Sequence, residues 1–211
     1  MWRRTASLLA ISCAAPLLAQ YRAVQEIAPG KLLVASDQLG DPNFAESVIL
    51  IVQHDAENGT MGLILNRRTK IPLSKVFADI KGAKSDPVYI GGPVSTGSAQ
   101  ALFRSADKPE QATRVFGDIY ASGSKDLIEK SIAAGIAQSK FRVYIGYGGW
   151  EAGQLEREIE LGAWSLIRAS ADTVFDDDPD SLWDRARRES DRRIARARPL
   201  PLLTAFSFPA L

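Results

Sequence analysis

The chain has 211 residues, 45% hydrophobic and 24% charged, which is enough for one sizeable core. Its formal net charge of +1 gives no global attraction to nucleic acid or to an acidic surface. A single cysteine, Cys13, excludes an intrachain disulfide framework, and a single histidine, His54, makes a protein-only zinc site hard to build.

Residues 1–19 read as a secretory signal. Arg3 and Arg4 form a positive start, Ala6 to Ala19 form a short apolar stretch, and small Ala19 precedes Gln20. Export, with cleavage after Ala19, then points to the periplasm; the alternatives are a lipid anchor on Cys13 or an uncleaved cytoplasmic chain. No apolar run reaches the roughly 18 residues of a membrane span. The expected layout is a signal at 1–19, one domain at 20–185, and a charged then apolar tail at 186–211.

Lys31 to Ala35 reads as a strand after the Pro29–Gly30 turn. Ser47 to Gln53 reads as a central strand, and residues 54–59 as a turn into a second, antiparallel strand at Met61 to Asn66. Leu73, Val76, Phe77 and Ile80 fall at i, i+3, i+4 and i+7, the spacing of one helical face. Val88 to Ile90, Ala99 to Phe103 and Val115 to Tyr120 read as three more strands. Ser124 is placed to cap a helix with a Leu127, Ile128, Ile132, Ile136 stripe.

Val143 to Trp164 carries the densest signals. Phe141, Val143 and Ile145 alternate with Arg142, Tyr144 and Gly146, which suits a strand. Gly148 and Gly149 predict a sharp turn with positive φ at one of them. Glu151 suits a helix start, Leu155 and Ile159 share one face, and Gly162 suits a left-handed cap. Trp164 to Ile167 follows as another strand. Asp178 and Pro179 predict a helix start, and Asp184 to Ala197 reads as a charged, solvated helix.

These residues carry a resemblance. GKLLVAS from Gly30, the run from Asp41 to Arg67, Gly91-Gly92-Pro93-Val94, and GYGGWEAGQLEREIELGAW from Gly146 are similar, in order, to the YqgE/AlgH family of bacterial proteins. The resemblance implies an α+β single domain with a mixed, bifurcated, partly barrel-like sheet packed by a few short helices. It also brings the family's label of transcriptional regulator and a typically cytoplasmic location. Ser36-Asp37-Gln38 stands where the family usually has a proline, and Leu102-Phe103-Arg104 where it tends to show a leucine–histidine pair.

The candidate chemistry is sparse. His54 beside Asp55 is half of a nucleophilic triad, with Ser95 or Ser98 as the conceivable nucleophile, but no G-x-S-x-G elbow exists. The competing reading is a strand-end histidine bonded to a loop. Gly146, Gly148, Gly149 and Gly153, with Trp150, resemble an anion-binding loop at a helix start, yet equally a turn with close packing. Gly91 and Gly92 join them as binding candidates. Asn66, Arg67, Arg68 and Arg104 make a possible anion patch or simply solvated charges. Asp176 to Asp180 lacks calcium-loop spacing and reads as capping. The expectation is a non-enzymatic binding or regulatory protein acting through an undetermined protein or small-molecule partner. No metal or cofactor and no nucleic acid are expected; direct regulation of transcription and a His54 hydrolase are the alternatives.

Overall fold

A computed structural model describes residues 26–83 and 85–197. The signal-like segment, Cys13 and the apolar end of the chain lie outside these residues. Ten strands form one branched sheet: β1 (Lys31–Ala35), β2 (Val48–Asp55), β3 (Gly59–Ile64), β4 (Arg68–Pro72), β5 (Pro87–Ile90), β6 (Val94–Arg104), β7 (Thr113–Phe116), β8 (Ile119–Ser122), β9 (Phe141–Trp150) and β10 (Trp164–Arg168). The helices are α1 (Leu73–Val76), α2 (Lys125–Ala133), α3 (Gln154–Glu160), α4 (Ala171–Val174) and α5 (Leu182–Ala197), with a 3-10 turn at Pro179–Ser181.

The main path runs β10-β1-β2-β3-β9-β6-β8-β7 and is antiparallel throughout. β9 is where the sheet forks. Its last residues pair with β3, Thr60 opposite Trp150, while Tyr144 and Ile145 pair in parallel with Tyr89 and Ile90 of β5. β5 in turn carries β4. The sheet is therefore α+β, mixed and bifurcated as expected, but it does not close into a barrel.

The alternation of β2 shows how both faces are filled. Val48, Leu50 and Val52 enter one apolar cluster, and Ile49 and Ile51 enter another. The first cluster gathers residues from both limbs of the fork, including Leu102, Val115, Ile119 and Tyr144, under Val174, Phe175, Leu182 and Ala186 of the last helices. The second lies beneath α3, through Leu155 and Ile159. A third packs α2, through Ile128 and Ile132, on Phe103, Phe141 and Val143.

Several expectations change in the structure. Gly148 and Gly149 are not a turn. They continue β9, paired with Gly62 and Met61, and neither has positive φ. The left-handed glycines are Gly146 (φ 69°) inside the strand and Gly153 (φ 73°) ahead of α3. The helix consequently starts at Gln154, three residues after Glu151. Both sides of β9 are covered, and Arg142 and Tyr144 are buried. Val115 to Tyr120 is a hairpin, β7 and β8, turning at Gly117 (φ 48°). The stripe from Leu73 to Ile80 yields only the one turn of α1. Phe77 leaves helical geometry, and the chain goes on through isolated turns, Ile80 to Phe77 and Ala83 to Ile80. The charged stretch from Asp184 is helical but not free of the body, because Leu182, Ala186 and Ser190 of α5 are buried. One helix thus runs through residue 185 without a break.

Other expectations stand. β1 has the expected bounds, and Ser124 Oγ accepts from Leu127 N to cap α2. At the end of α3, Gly162 N donates to Ile159 O and Ala163 N to Glu158 O, the paired bonds of a left-handed glycine cap.

Candidate functional site

Five of the candidate residues prove to be one mechanical assembly. Asn66 follows β3; its Oδ1 accepts from Val48 N (2.9 Å) and its Nδ2 donates to Glu46 O (2.8 Å). Arg67 sends one Nη to Pro42 O (3.3 Å) and Ala45 O (3.2 Å), and burial lowers its pKa. Together they hold the loop from Asp41 to Ser47, whose Phe44 stacks on Trp150 at 5.5 Å between centroids. Gly148 lies beneath both rings: a Cβ there would sit 3.1 Å from Trp150 and 3.3 Å from Phe44. Gly149 is its neighbour in β9, with ordinary contacts of 3.4 Å.

Trp150 is fixed from the other side as well. Glu158 of α3 accepts on one oxygen from Trp150 Nε1 (2.9 Å) and Trp164 Nε1 (2.8 Å), and on the other from Gln154 Nε2 (2.8 Å). The two indoles meet edge to face at 5.9 Å. One carboxylate thereby ties β9, β10 and α3 together while satisfying two buried donors.

His54 stands in the same cross-strand row, opposite Thr60, which is opposite Trp150. Its Nδ1 is 2.8 Å from Thr60 Oγ1. Asp55 does not orient the imidazole. Its Oδ1 accepts from Glu57 N, Asn58 N and Asn58 Nδ2 in the adjoining turn, and the backbone bonds from Asn58 and then Glu57 hold its pKa below the usual value. Ser98 Oγ donates to Ser95 O, so neither serine is bonded to His54.

Gly91 and Gly92 lie at the fork. A Cβ on Gly91 would be 2.2 Å from Gly146 O, and one on Gly92 2.2 Å from the Tyr147 carbonyl carbon. These glycines let the β5–β6 connection pass against the backbone of β9. The proposed arginine patch is dispersed: Arg68 pairs with Asp180 (2.7 Å), and Arg104 with Asp118 and Asp172 (3.0 Å each). Asp176 pairs with Arg185 (2.8 Å), and Asp178, at the N-cap position of the 3-10 turn, accepts from Ser181 Oγ. Among the described residues no group of three His, Cys, Asp or Glu is placed to hold a metal ion.

Arg142 was not among the candidate residues. Its guanidinium is buried in the first cluster, donating to Val174 O (3.4 Å), Asp176 O (2.7 Å) and Gln138 O (3.3 Å). It lies over the rings of Tyr89 (5.2 Å) and Phe175 (5.5 Å). Tyr144 packs at 5.3 Å from Tyr89, and burial raises the pKa of both phenols. This set of contacts pins the segment after α4 to the centre of the sheet.

The open concave surfaces lie elsewhere. A cleft of about 510 Å³ includes Arg104, Ser105, Asp118, Leu127 and Lys140. A groove of about 440 Å³, mostly apolar, is bounded by β4, α1, β5 and the looped start of β6, with Ile71, Val76, Phe77, Tyr89, Ile90 and Ile145 among its walls. Ile71 (44% exposed), Val76 (43%) and Ile90 (45%) are large apolar side chains facing water, and all three belong to this groove. The sequence hid them because Ile90 and Val76 occupy positions that strand and helix periodicity assign to a core. Of the candidate residues named from the sequence, Arg104 lines the cleft and none lines the groove.

Comparison with known proteins follows the same fold. The model of the AlgH-like family (DUF179) matches residues 32–195. A UPF0301 protein of Chlorobium phaeobacteroides is 34% identical over 181 residues, covering 84% of this chain and 96% of its own. A UPF0301 protein of Chlorobaculum tepidum is 37% identical over 163 residues, covering 76% and 85%. The solution structure of the AlgH protein from Pseudomonas aeruginosa superposes with a TM-score of 0.63 at 32% identity, covering 86% of this chain and 95% of that one. A crystal structure of a Corynebacterium diphtheriae protein gives 0.66 at 27% identity, covering 87% and 93%.

Proposed function

The chain belongs to the AlgH-like (UPF0301) family, and on that premise we propose that it is a non-enzymatic binding protein whose site is the apolar groove beside β4. The supporting observation is the convergence of Ile71, Val76 and Ile90 on one concave surface. Scattered exposed aliphatics need no explanation, but three grouped around a groove mark a place where apolar surface is covered. The occupant that fits is an extended apolar segment of a partner protein. β4 pairs only with β5 among the described strands, so its outer edge offers backbone groups to an added strand, while the groove takes alternate side chains.

Hydrolysis receives no support from the geometry, since His54 bonds Thr60 rather than a serine and Asp55 is engaged in its own turn. Regulation, which the family label suggests, fits this reading through a protein partner rather than through direct contact with DNA. Export also belongs to the proposal. Its motive is the Arg3-Arg4 start and the apolar Ala6 to Ala19 stretch, and mass spectrometry of protein from the native cell tests it. A mature start at Gln20 supports export, whereas an intact start in the cytosolic fraction overturns it.

The binding reading is tested by affinity capture from the native compartment, using Ile90→Lys and Val76→Lys beside Leu161→Lys, which alters an exposed leucine outside the groove. A discrete partner retained by the wild type and by Leu161→Lys, and lost with both groove variants at unchanged thermal stability, is the expected result. Retention by the groove variants moves the site elsewhere.

A further inference from the structure

The second concave surface has a different chemistry from the groove beside β4 and shares no lining residue with it. This cleft of about 510 Å³ lies where β6 ends, β9 begins and α2 gives way to its following loop. Its volume is that of a small-molecule site. The backbone gathers the polar groups at one end. Arg104 N donates to Lys140 O (2.8 Å), and Ser105 N donates to Asp118 O (2.9 Å). Leu127 and Ile136 stand on the other side, half-buried against the cluster that contains Phe103. One wall is therefore polar and the other apolar.

The polar wall is not neutral. Arg104 is matched, its Nε donating to Asp118 and its Nη1 to Asp172, at 3.0 Å each. Ser131 is matched as well, its Oγ donating to Leu127 O (2.7 Å). Lys140 and Ser105 are not. Among the described residues the Lys140 ammonium has no carboxylate partner, and Ser105 Oγ makes no hydrogen bond. Both line the cleft. The cleft thus offers one uncompensated positive charge and one unengaged hydroxyl beside an apolar wall.

We infer that this cleft binds a small organic monocarboxylate with an apolar body. The carboxylate accepts from Lys140 Nζ and Ser105 Oγ, and the bond from the ammonium is charge-assisted. The body covers Leu127, Ile136 and Phe103 and leaves water there. Asp118 limits the charge of the ligand. A phosphate monoester or a dicarboxylate would bring a second negative charge toward Asp118, with Lys140 alone to offset both. A neutral apolar molecule would cover the ammonium and the hydroxyl without bonding either, which costs their hydration.

The test is titration of the full chain at low salt with phenylacetate, benzoate and isovalerate, each beside its neutral amide, read by backbone amide shifts in nuclear magnetic resonance. At least one acid should move the signals of residues 104–106 and 127–140 and leave those of β4 and α1 in place. Its amide should bind about threefold to fivefold more weakly, the scale of one exposed charge pair. Lys140→Met keeps much of the side-chain length at an exposed position. It should reduce affinity for the acid to that for the amide and leave the melting temperature unchanged. Ala106→Asp, also at an exposed position of the lining, adds a negative charge and should weaken the acid more than the amide. Equal affinity for acid and amide, or an unchanged affinity for the acid in Lys140→Met, would overturn the inference. So would the absence of shifts at residues 104–106 and 127–140 with all three acids at concentrations on the order of 10 mM.

Discussion

Gly146 is the residue on which the fork turns. Its φ of 69° is left-handed, and a Cβ there would lie 2.4 Å from Gly92 O and 2.8 Å from Val94 O. Gly146→Ala should therefore cost at least about 2 kcal/mol, strain and displaced backbone combined. Gly149→Ala, with nearest contacts of 3.4 Å and ordinary φ, should stay within about 1 kcal/mol of wild type. Equal losses in urea unfolding would show that the fork tolerates a side chain. The sequence marked this stretch as glycine-rich but chose the wrong pair. Which glycine needs positive φ is set by Gly91 and Gly92, more than fifty residues away, and no local pattern carries that. Tyr144 gives a second residue-scale test. Burial raises its pKa above the ordinary value near 10, so the folded state holds the proton while the unfolded state releases it. The stability this contributes is complete below about pH 10 and is lost as the pH rises past it. Tyr144→Phe should unfold less steeply with alkali than the wild type. Identical pH profiles would remove the phenol from the argument.

At the scale of elements, α3 was the most legible part of the chain. Leu155 and Ile159 are four apart, and Gly162 ends the helix, so its C-terminal end and its buried face follow from spacing, although it starts three residues beyond Glu151. Both side chains are fully buried against the sheet, and Leu155→Ala or Ile159→Ala should each cost about 2–5 kcal/mol. Glu160→Ala, on the exposed side, should change stability by less than about 0.5 kcal/mol. Urea unfolding of the three variants checks the ordering. α5 was misjudged for a physical reason. Its docking stripe contains Ala186 and Ser190, which add little hydrophobic signal, while the arginines dominate the composition. Val115 to Tyr120 was misjudged because a two-residue turn, Gly117-Asp118, sits inside a run of strand-forming residues.

For the whole molecule, paired charge is the governing observation. The net charge is +1, and Arg68, Arg104, Arg185 and Arg187 are each matched by aspartate. The chain should bind duplex DNA no better than an ordinary neutral protein at physiological salt. Sequence-dependent binding with a steep salt slope would contradict this. The overall class was readable through the family resemblance that the ordered motifs from Gly30 to Trp164 carry, which implied an α+β domain. The position of β9 at the meeting of three pairings was not readable. Strand partners depend on contacts distant in sequence, and neither period nor propensity reports them. For the same reason the contacts that join Asn66, Arg67 and Gly148 to Phe44 and Trp150 were not readable, and neither was the exposed groove.

The fork has a consequence for how the chain is made. β3, β5 and β6 all leave the ribosome before β9, and each must wait for it: Thr60 for Trp150, Tyr89 for Tyr144, Phe103 for Phe141. Until then β3 and β6 present open edges and apolar faces, the features that make a nascent chain prone to wrong association. Closure of such distant pairings is also slow once it begins. The domain is thus kept waiting during synthesis for a strand well past its middle, and the interval before that strand emerges is one in which it needs a chaperone.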